Sequence, residues 1–577
     1  MAEAPDMGLT LPGQTTATAL FQGVGRQLGR EWIGSSLHRA MIAKPRATGL
    51  ALSPSDLRPA DAEAGRRLME GTYTFAGATL SVGPGGDPWD RPSPTRRFAL
   101  HLHRFGWMRD LLAAGPDAAA EGLRLTLDWR RLFGRWNRFA WDPDVLERRV
   151  FNLACSAKAL CDGASDAETG LVAQDLARQG RFLLAAIDGP ARAAERSAVA
   201  ALAGATLSGE AGEKLAAAAL ARLGKALPRT VTADGGHASR SPEAALELLY
   251  DLQTLDAALV ERGLAAPGEM MRAIDRLSGA VWFFTLGDGS LPAFQGGEEK
   301  RKRYVAAARA AEDDADRQVP AARNGYHRLD GKSLQVIADA APPARGPWSV
   351  TACAQPLAIE VLAGGKRLIS NCGWSPDAAG PQALRLIDAA STASLGDQPC
   401  GEPLRGFRAA ALGPRLAGGY THVEAKRQTA EGALWLELAH DGWVRRFGLR
   451  HRRRLFLDMA TDELRGEDRF SPLTTTTPAG EKTRRFTPFT VCFHLHPTVR
   501  ASIARDKKSV LLRAEGDDAG WWLRNDAVEV AIETSVHFQD GQARRAQQIV
   551  LRGQARLDVG ARVRWKLAQA DVWPPPR

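Results

Sequence analysis

Between about residues 101 and 330, apolar residues recur every three or four positions. That period predicts helices over Leu102–Ala114, Thr126–Asn137, Asp144–Cys161 and Glu168–Asp188. It continues over Ala191–Ala205, Gly209–Leu227, Pro242–Arg262 and Pro267–Phe284. Pro143, Pro190, Pro228, Pro242 and Pro267 fall near the boundaries, where proline punctuates helices. Sequential helices with short breaks imply a layer of helical hairpins. After about residue 335 the helical period disappears. Leu334–Ala338, Leu357–Val361, Leu434–Leu438, Val510–Arg513, Val528–Ile532 and Ala561–Trp565 alternate or run apolar between turn residues, as strands of a sandwich do. Thr474–Thr477 reads as a polar loop. Ahead of both regions, Thr18–Met41 predicts a helix with Leu20, Val24, Leu28, Trp32 and Ile33 on one face. That face is expected to pack on the protein, a helix lying on a membrane surface being the alternative. Thr72–Gly77 reads as extended. The fold class is therefore α+β and multidomain: an N-terminal part over 1–100, a helical domain over 101–334 and an antiparallel β-sandwich over 335–577.

Composition narrows the partners. The 76 Lys+Arg against 66 Asp+Glu give a formal charge of +10, which favours polyanions. The basic residues are spread along the chain without a dense tract, so acidic carbohydrate is preferred and nucleic acid is not expected. The six cysteines form no CxxC pair, which argues against a zinc knuckle or a disulfide framework and for a reducing compartment. No basic-then-apolar leader opens the sequence and no run approaches 18 apolar residues. A cytoplasmic location with no transmembrane segment is expected.

The most informative polar run is Asp234-Gly235-Gly236-His237-Ala238-Ser239-Arg240-Ser241-Pro242. Ser241 is a good N-cap, Pro242 suits the first helical position and Glu243 meets the positive end of the helix dipole. Ala244, Ala245, Leu248, Leu249 and Leu252 then make an apolar face. Asp234, His237, Ser239 and Arg240 are thus held on a short turn before a buried helix. Trp129, Trp136 and Trp141 with Arg130, Arg131 and Arg135 suit either an acidic-glycan groove or a helix core with a basic rim. No GxSxG or GxxxxGK[ST] occurs, so serine-hydrolase and phosphate-loop chemistry have no support.

Asp234 to Pro242, Gly287-Asp288-Gly289-Ser290 through Phe294-Gln295-Gly296-Gly297, Ile369-Ser370-Asn371-Cys372-Gly373 and His440-Asp441-Gly442-Trp443 stand in a characteristic order. Gly448 to Arg453, Leu464 to Asp468 and Phe493 to Pro497 complete it. This ordered set resembles the bacterial heparinase II/III-like family. The resemblance implies an incomplete (α/α) toroid followed by an antiparallel β-sandwich, and β-elimination on an acidic, uronic-acid-containing polysaccharide or oligosaccharide. That chemistry needs donors to the substrate carboxylate and a general base beside C5. His237, Arg240 and His440 are the expected catalytic residues. Asp234, Asp288, Gln295, Trp443, His451 and Arg453 are the expected substrate contacts, each with a purely structural turn, core or surface role as its alternative. His494 and His496 share a strand face, but no third ligand is evident, which favours a structural role. Two departures stand out. Ala244 and Ala245 occupy the places where family lyases carry Tyr and His, and Ile187 to Arg192 lacks the family's Asn-His pair. Cys353, Gln355 and Asn371 stand where some relatives carry the zinc-binding His and Asp, which leaves His440 as the one retained ligand; no cofactor is expected, with a poorly supported zinc as the alternative. A catalytically inactive glycan-binding or cell-envelope protein on the same fold is the alternative function, and the family's envelope or periplasmic setting the alternative location.

Overall fold

The computed structural model describes residues 24–570 apart from 26, 27, 30, 188, 311–318, 375, 377–381, 474–484, 518 and 540. The loop expected at Thr474–Thr477 lies outside the described residues. Helices run from Ala62 to Arg309, with the long ones at Ala118–Phe133, Pro143–Leu160, Asp166–Ala185, Ala193–Thr206, Gly209–Thr230, Pro242–Arg262 and Gly268–Phe284. The predicted helix Leu102–Ala114 is instead two, Arg96–Arg104 and Met108–Leu112, broken by Phe105 at φ 60°. The apolar rhythm crosses the break because Leu102, Phe105, Met108 and Leu111 all enter one core. The helix expected at Thr126–Asn137 begins earlier, at Ala118, and ends at Phe133. Helices Ala193–Thr206 and Gly209–Thr230 pack so closely that a Cβ on Gly204 would stand 2.4 Å from the Ala216 nitrogen.

The C-terminal half is an antiparallel sandwich of two sheets. One, in spatial order, contains Val423–Ala430, Ala433–His440, Leu449–Asp458, Glu463–Pro472, Ala561–Gln569, Trp521–Asn525, Ser509–Ala514 and Val499–Ile503. The other runs Glu529–Gln539, Gln542–Arg556, Phe486–Leu495, Lys366–Ser370, Ile359–Ala363, Leu334–Asp339, Tyr326–Asp330 and Ala322–Arg323, with Ala393–Leu395 paired to Phe486–Leu495. In Leu449–Asp458 every second residue is buried, the alternation of a strand with one wet face. Leu455, Leu457, Val491, Phe493, Ile549 and Leu551 from both sheets meet in a single core.

The second sheet differs because strands Leu334–Asp339 and Ile359–Ala363 are covered on both faces. Leu334, Val336 and Ala338 enter the sandwich core, whereas Ile337, Tyr326 and Leu362 join the core of the helices. Two-sided burial explains why Leu334–Ala338 reads as a nearly continuous apolar run. Strand Val423–Ala430 lies at an edge with mostly exposed side chains, so VEAKRQTA carried no apolar signal.

At the N-terminus the expected packing holds in part: Ile33 is partly buried against the helical core, and Leu20 lies outside the described residues. Val24, Leu28 and Trp32 are 57%, 65% and 49% exposed, as are Leu37 and Met41 beyond them. His38 and Ile42 make the inward contacts of helix Ser36–Ile42, with His38 edge-on to Phe182. Among the described residues, no helix is long and apolar enough to cross a membrane.

Candidate functional site

The turn before helix Pro242–Arg262 lies where the helices meet the sandwich. Ser241 Oγ accepts the Ala244 N–H and Pro242 starts the helix, as the sequence predicts. Gly235 and Gly236 take φ of 84° and 118°, and a Cβ on Gly236 would stand 2.5 Å from the Asn324 amide. The chain can therefore press against the first strands of the sandwich. Asp234 is exposed and accepts the Asn324 N–H at 2.7 Å, and Asn324 Nδ2 donates to the His237 carbonyl.

His237 is buried. Its Nδ1 accepts the Ser239 N–H, so Nε2 carries the proton and donates to Glu195 Oε1 at 3.2 Å. Burial alone would raise the Glu195 carboxyl, but Arg192 and the bond from His237 bring it down to about 2. Arg192 also grips the buried Glu147.

Arg240 sits in the left-handed region at φ 67° and turns its guanidinium into the sandwich. Nε donates to the Asn324 carbonyl, and Nη1 to the Ala341 and Pro342 carbonyls. Nη2 donates to the Gly325 carbonyl and to Asp339 Oδ1 at 2.5 Å. All five N–H donors are therefore occupied within the protein, and the guanidinium lies 4.7 Å over the Tyr326 ring. Gln295 completes the chain: its amide donates to Asp339 Oδ2 at 2.8 Å and its carbonyl accepts the Cys353 N–H. Where a cleft mouth is expected, a Cβ on Gly296 would be 2.3 Å from the Thr351 carbonyl. Asp288 accepts from Ser290 and pairs with Arg367, which also holds Glu360 at 2.7 Å.

His440, His451, Arg453 and Trp443 stand away from that turn, inside the sandwich. Each is at most 1% exposed. Gly442 N–H donates to His440 Nδ1, so His440 Nε2–H donates to His451 Nδ1 at 3.1 Å. His451 Nε2–H then donates to Asp468 Oδ1 at 2.9 Å. Arg453 binds both Asp468 oxygens and donates to the Leu357 and Ser391 carbonyls, while Trp565 Nε1 also reaches Asp468. Burial pushes His440 far below the usual imidazole value, with the neighbouring His451, Arg450 and Arg453 adding to it. Burial works against the Asp468 charge, yet Arg453 and His451 hold its carboxyl well below the usual range. Trp443 packs on His440 and Phe470 and offers no open face to a sugar.

Helix Pro242–Arg262 holds no histidine, and the carboxyl of its Glu243 is raised by burial to about 7 while facing Lys300. Tyr250 is buried, donates to the Tyr304 carbonyl and lies under Arg58. Burial raises its phenol further. The tryptophan–arginine cluster divides. Trp129 is core, donating to His103 beneath Arg149, whereas Trp136, Trp141 and Arg135 line a cavity of about 160 Å³ with Arg39 and Arg178. The positions of the family's zinc ligands do not fit a metal. Burial lifts the Cys353 thiol to about 11, Gln355 donates to the Leu384 carbonyl, and Asn371 bonds Glu360 and Ser391. Three other groups do gather: Glu299, His496 and His537, whose ligand atoms lie within 4.8 Å of one another. His494 instead faces Ser535 and Cys372. Sequence reasoning missed Glu299 and His537 because 238 residues separate them.

The sequence profile described as Heparinase II/III-like, C-terminal matches residues 315–566. FtsZ-localized protein C of Caulobacter vibrioides (strain NA1000 / CB15N) is 53% identical over 572 residues, covering 98% of this chain and 99% of that one. Among solved structures, heparinase III superposes with a TM-score of 0.66 at 14% identity, over 92% of this chain and 88% of that one. Heparan sulfate lyase HepC from Pedobacter heparinus gives 0.55 at 15% identity, over 97% and 91%. At these identities the two lyases share the fold of this chain: an (α/α) toroid and a β-sandwich.

Proposed function

The chain belongs to the heparinase II/III-like family, and on that premise we propose that it uses the lyase fold as a scaffold stationed with FtsZ, without elimination chemistry of its own. One observation carries this reading: all five donors of Arg240, the residue best suited to grip a uronate carboxylate, are bound to Asp339 and backbone carbonyls. Elimination needs free donors and a base around C5. Ala244 and Ala245 stand where the family's base is expected, and His440 is sealed in the sandwich. The name of the Caulobacter relative supports placement with FtsZ, and with it a cytoplasmic station at the envelope.

The exposed Val24, Leu28, Trp32, Leu37 and Met41 support contact with the membrane surface itself. Arg39, Lys44 and Arg46 are exposed beside them, a combination that suits anionic lipid. A second reading, recognition of an acidic oligosaccharide, is favoured by the cavity that Arg39, Arg135, Arg178, Trp136 and Trp141 line.

Incubating the purified chain with a panel of uronic-acid glycans and following ultraviolet absorbance is the decisive assay. The scaffold reading expects no unsaturated product at any pH or metal condition, and product formation overturns it in favour of an active lyase. A fluorescent fusion should track FtsZ, and a diffuse signal in cells with assembled FtsZ counts against the placement. Anionic vesicles should carry the protein in flotation, and Trp32→Glu with Leu28→Glu should release it.

A further inference from the structure

Glu299, His496 and His537 reach one point from three places. Glu299 lies in the segment that follows helix Gly268–Phe284 and pairs in parallel with Gln539 of the sandwich. His496 stands just beyond strand Phe486–Leu495, and His537 lies in strand Glu529–Gln539. We infer that these three side chains bind a divalent first-row transition metal of the zinc class, which fastens the helical half to the sandwich.

The hydrogen bonding carries the argument. His537 Nδ1 lies 3.0 Å from the Asn371 carbonyl, and Nε2 lies 3.0 Å from Glu299 Oε2. Both partners only accept. A neutral imidazole has one N–H, so with its proton on Nδ1 it aims the Nε2 lone pair at a carboxylate oxygen. A cation between them resolves that opposition. A backbone carbonyl on the distal nitrogen is also the usual outer support of a metal-bound histidine. His496 Nε2 approaches the same Oε2 at 3.3 Å, while its Nδ1 meets the Thr498 hydroxyl at 2.7 Å and accepts the Thr498 N–H at 3.4 Å, so taking a cation at Nε2 would release the proton that Nε2 otherwise donates to Glu299.

The carboxylate is pre-oriented as well. Gln539 Nε2 donates to Glu299 Oε1 at 2.8 Å and Arg544 fixes Gln539 in turn, which leaves Oε2 to the imidazoles. A tetrahedral zinc with bonds near 2.1 Å separates its ligand atoms by about 3.4 Å; the two carboxylate–imidazole separations here are 3.0 and 3.3 Å, and all three ligand atoms lie within 4.8 Å of one another. Two imidazoles and one carboxylate suit zinc, with a water completing four-coordination. None of these ligands occupies the positions where the family's zinc-binding lyases carry theirs.

The test uses the full-length chain, stripped with a chelator and titrated with Zn²⁺ by calorimetry and with Co²⁺ by visible absorption. One equivalent of zinc should bind, and the cobalt bands should be those of nitrogen and oxygen ligands without thiolate charge transfer. Glu299→Gln and His496→Gln should each weaken zinc binding by at least about 100-fold and abolish the rise of several degrees in unfolding midpoint that zinc gives the parent. His496 is only half-buried, so its variant keeps the fold, which far-UV dichroism checks. A parent chain that takes up no zinc, equal uptake by both variants, or thiolate bands in the cobalt spectrum overturns the inference.

Discussion

Two buried ionic clusters in this molecule look alike on paper and differ in what they join. Around Arg240, a guanidinium from the helical half reaches Asp339 and four carbonyls of the β half. Around Asp468, Arg453, His451 and Trp565 converge on one carboxylate inside the sandwich alone. The first spreads one guanidinium over a seam, sharing it between the buried Asp339 and four carbonyls, so losing one partner leaves others in place. The second has no exit to water, so removing a member strands a charge. Burying a pair is costly, and breaking it is costlier still.

The largest effect therefore belongs to Asp468. Asp468→Ala should destabilise the fold by about 3–5 kcal/mol in urea titrations because Arg453 is left buried without its counter-charge. A loss under about 1 kcal/mol would remove the distinction between the clusters.

Next comes acid. Burial lowers His494 in the sandwich to about 4 and His103 in the helical half to about 3, with Arg149 adding to the latter. Both fold as neutral rings while their unfolded forms take up a proton below about 6.5. Stability from each is thus whole above pH 6.5 and fades as pH falls toward 4 or 3, on the order of 3 kcal/mol per histidine. His494→Gln should flatten that limb of a stability–pH curve, and an unchanged limb would assign it elsewhere.

Arg240→Lys keeps the charge and loses the fork. A cost of about 1–3 kcal/mol is expected, read as a loss of coincidence between helical and β unfolding signals. Coincident transitions in this variant would mean that the seam does not rest on Arg240. The smallest effect is Asp234→Ala, about 1 kcal/mol, because an exposed carboxylate loses one backbone bond.

The layout was readable where one physical rule decided it. The helix Pro242–Arg262 shows its cap, its proline and its closing Gly263 in the sequence. The alternation after residue 335 shows the sandwich. Phe105 shows the opposite case, since an apolar rhythm continues through a left-handed break when both pieces feed one core. The polar residues were harder. His440 reads as a cleft residue or a turn, and His451 as a carboxylate contact or part of a surface ladder; burial of both faces makes them an interior pair instead. Glu299 and His537 carried no local signal, because what makes them a cluster is the docking of a loop against a distant strand.

The shared sheet bears on synthesis. Tyr326, Ile337 and Leu362 fill the helical core from the far side of the sandwich, so the helices leave the ribosome with a hollow that later residues must plug. A nascent chain paused before residue 326 would show greasy surface to chaperones, and a gene cut at the apparent border would yield two sticky products rather than two proteins.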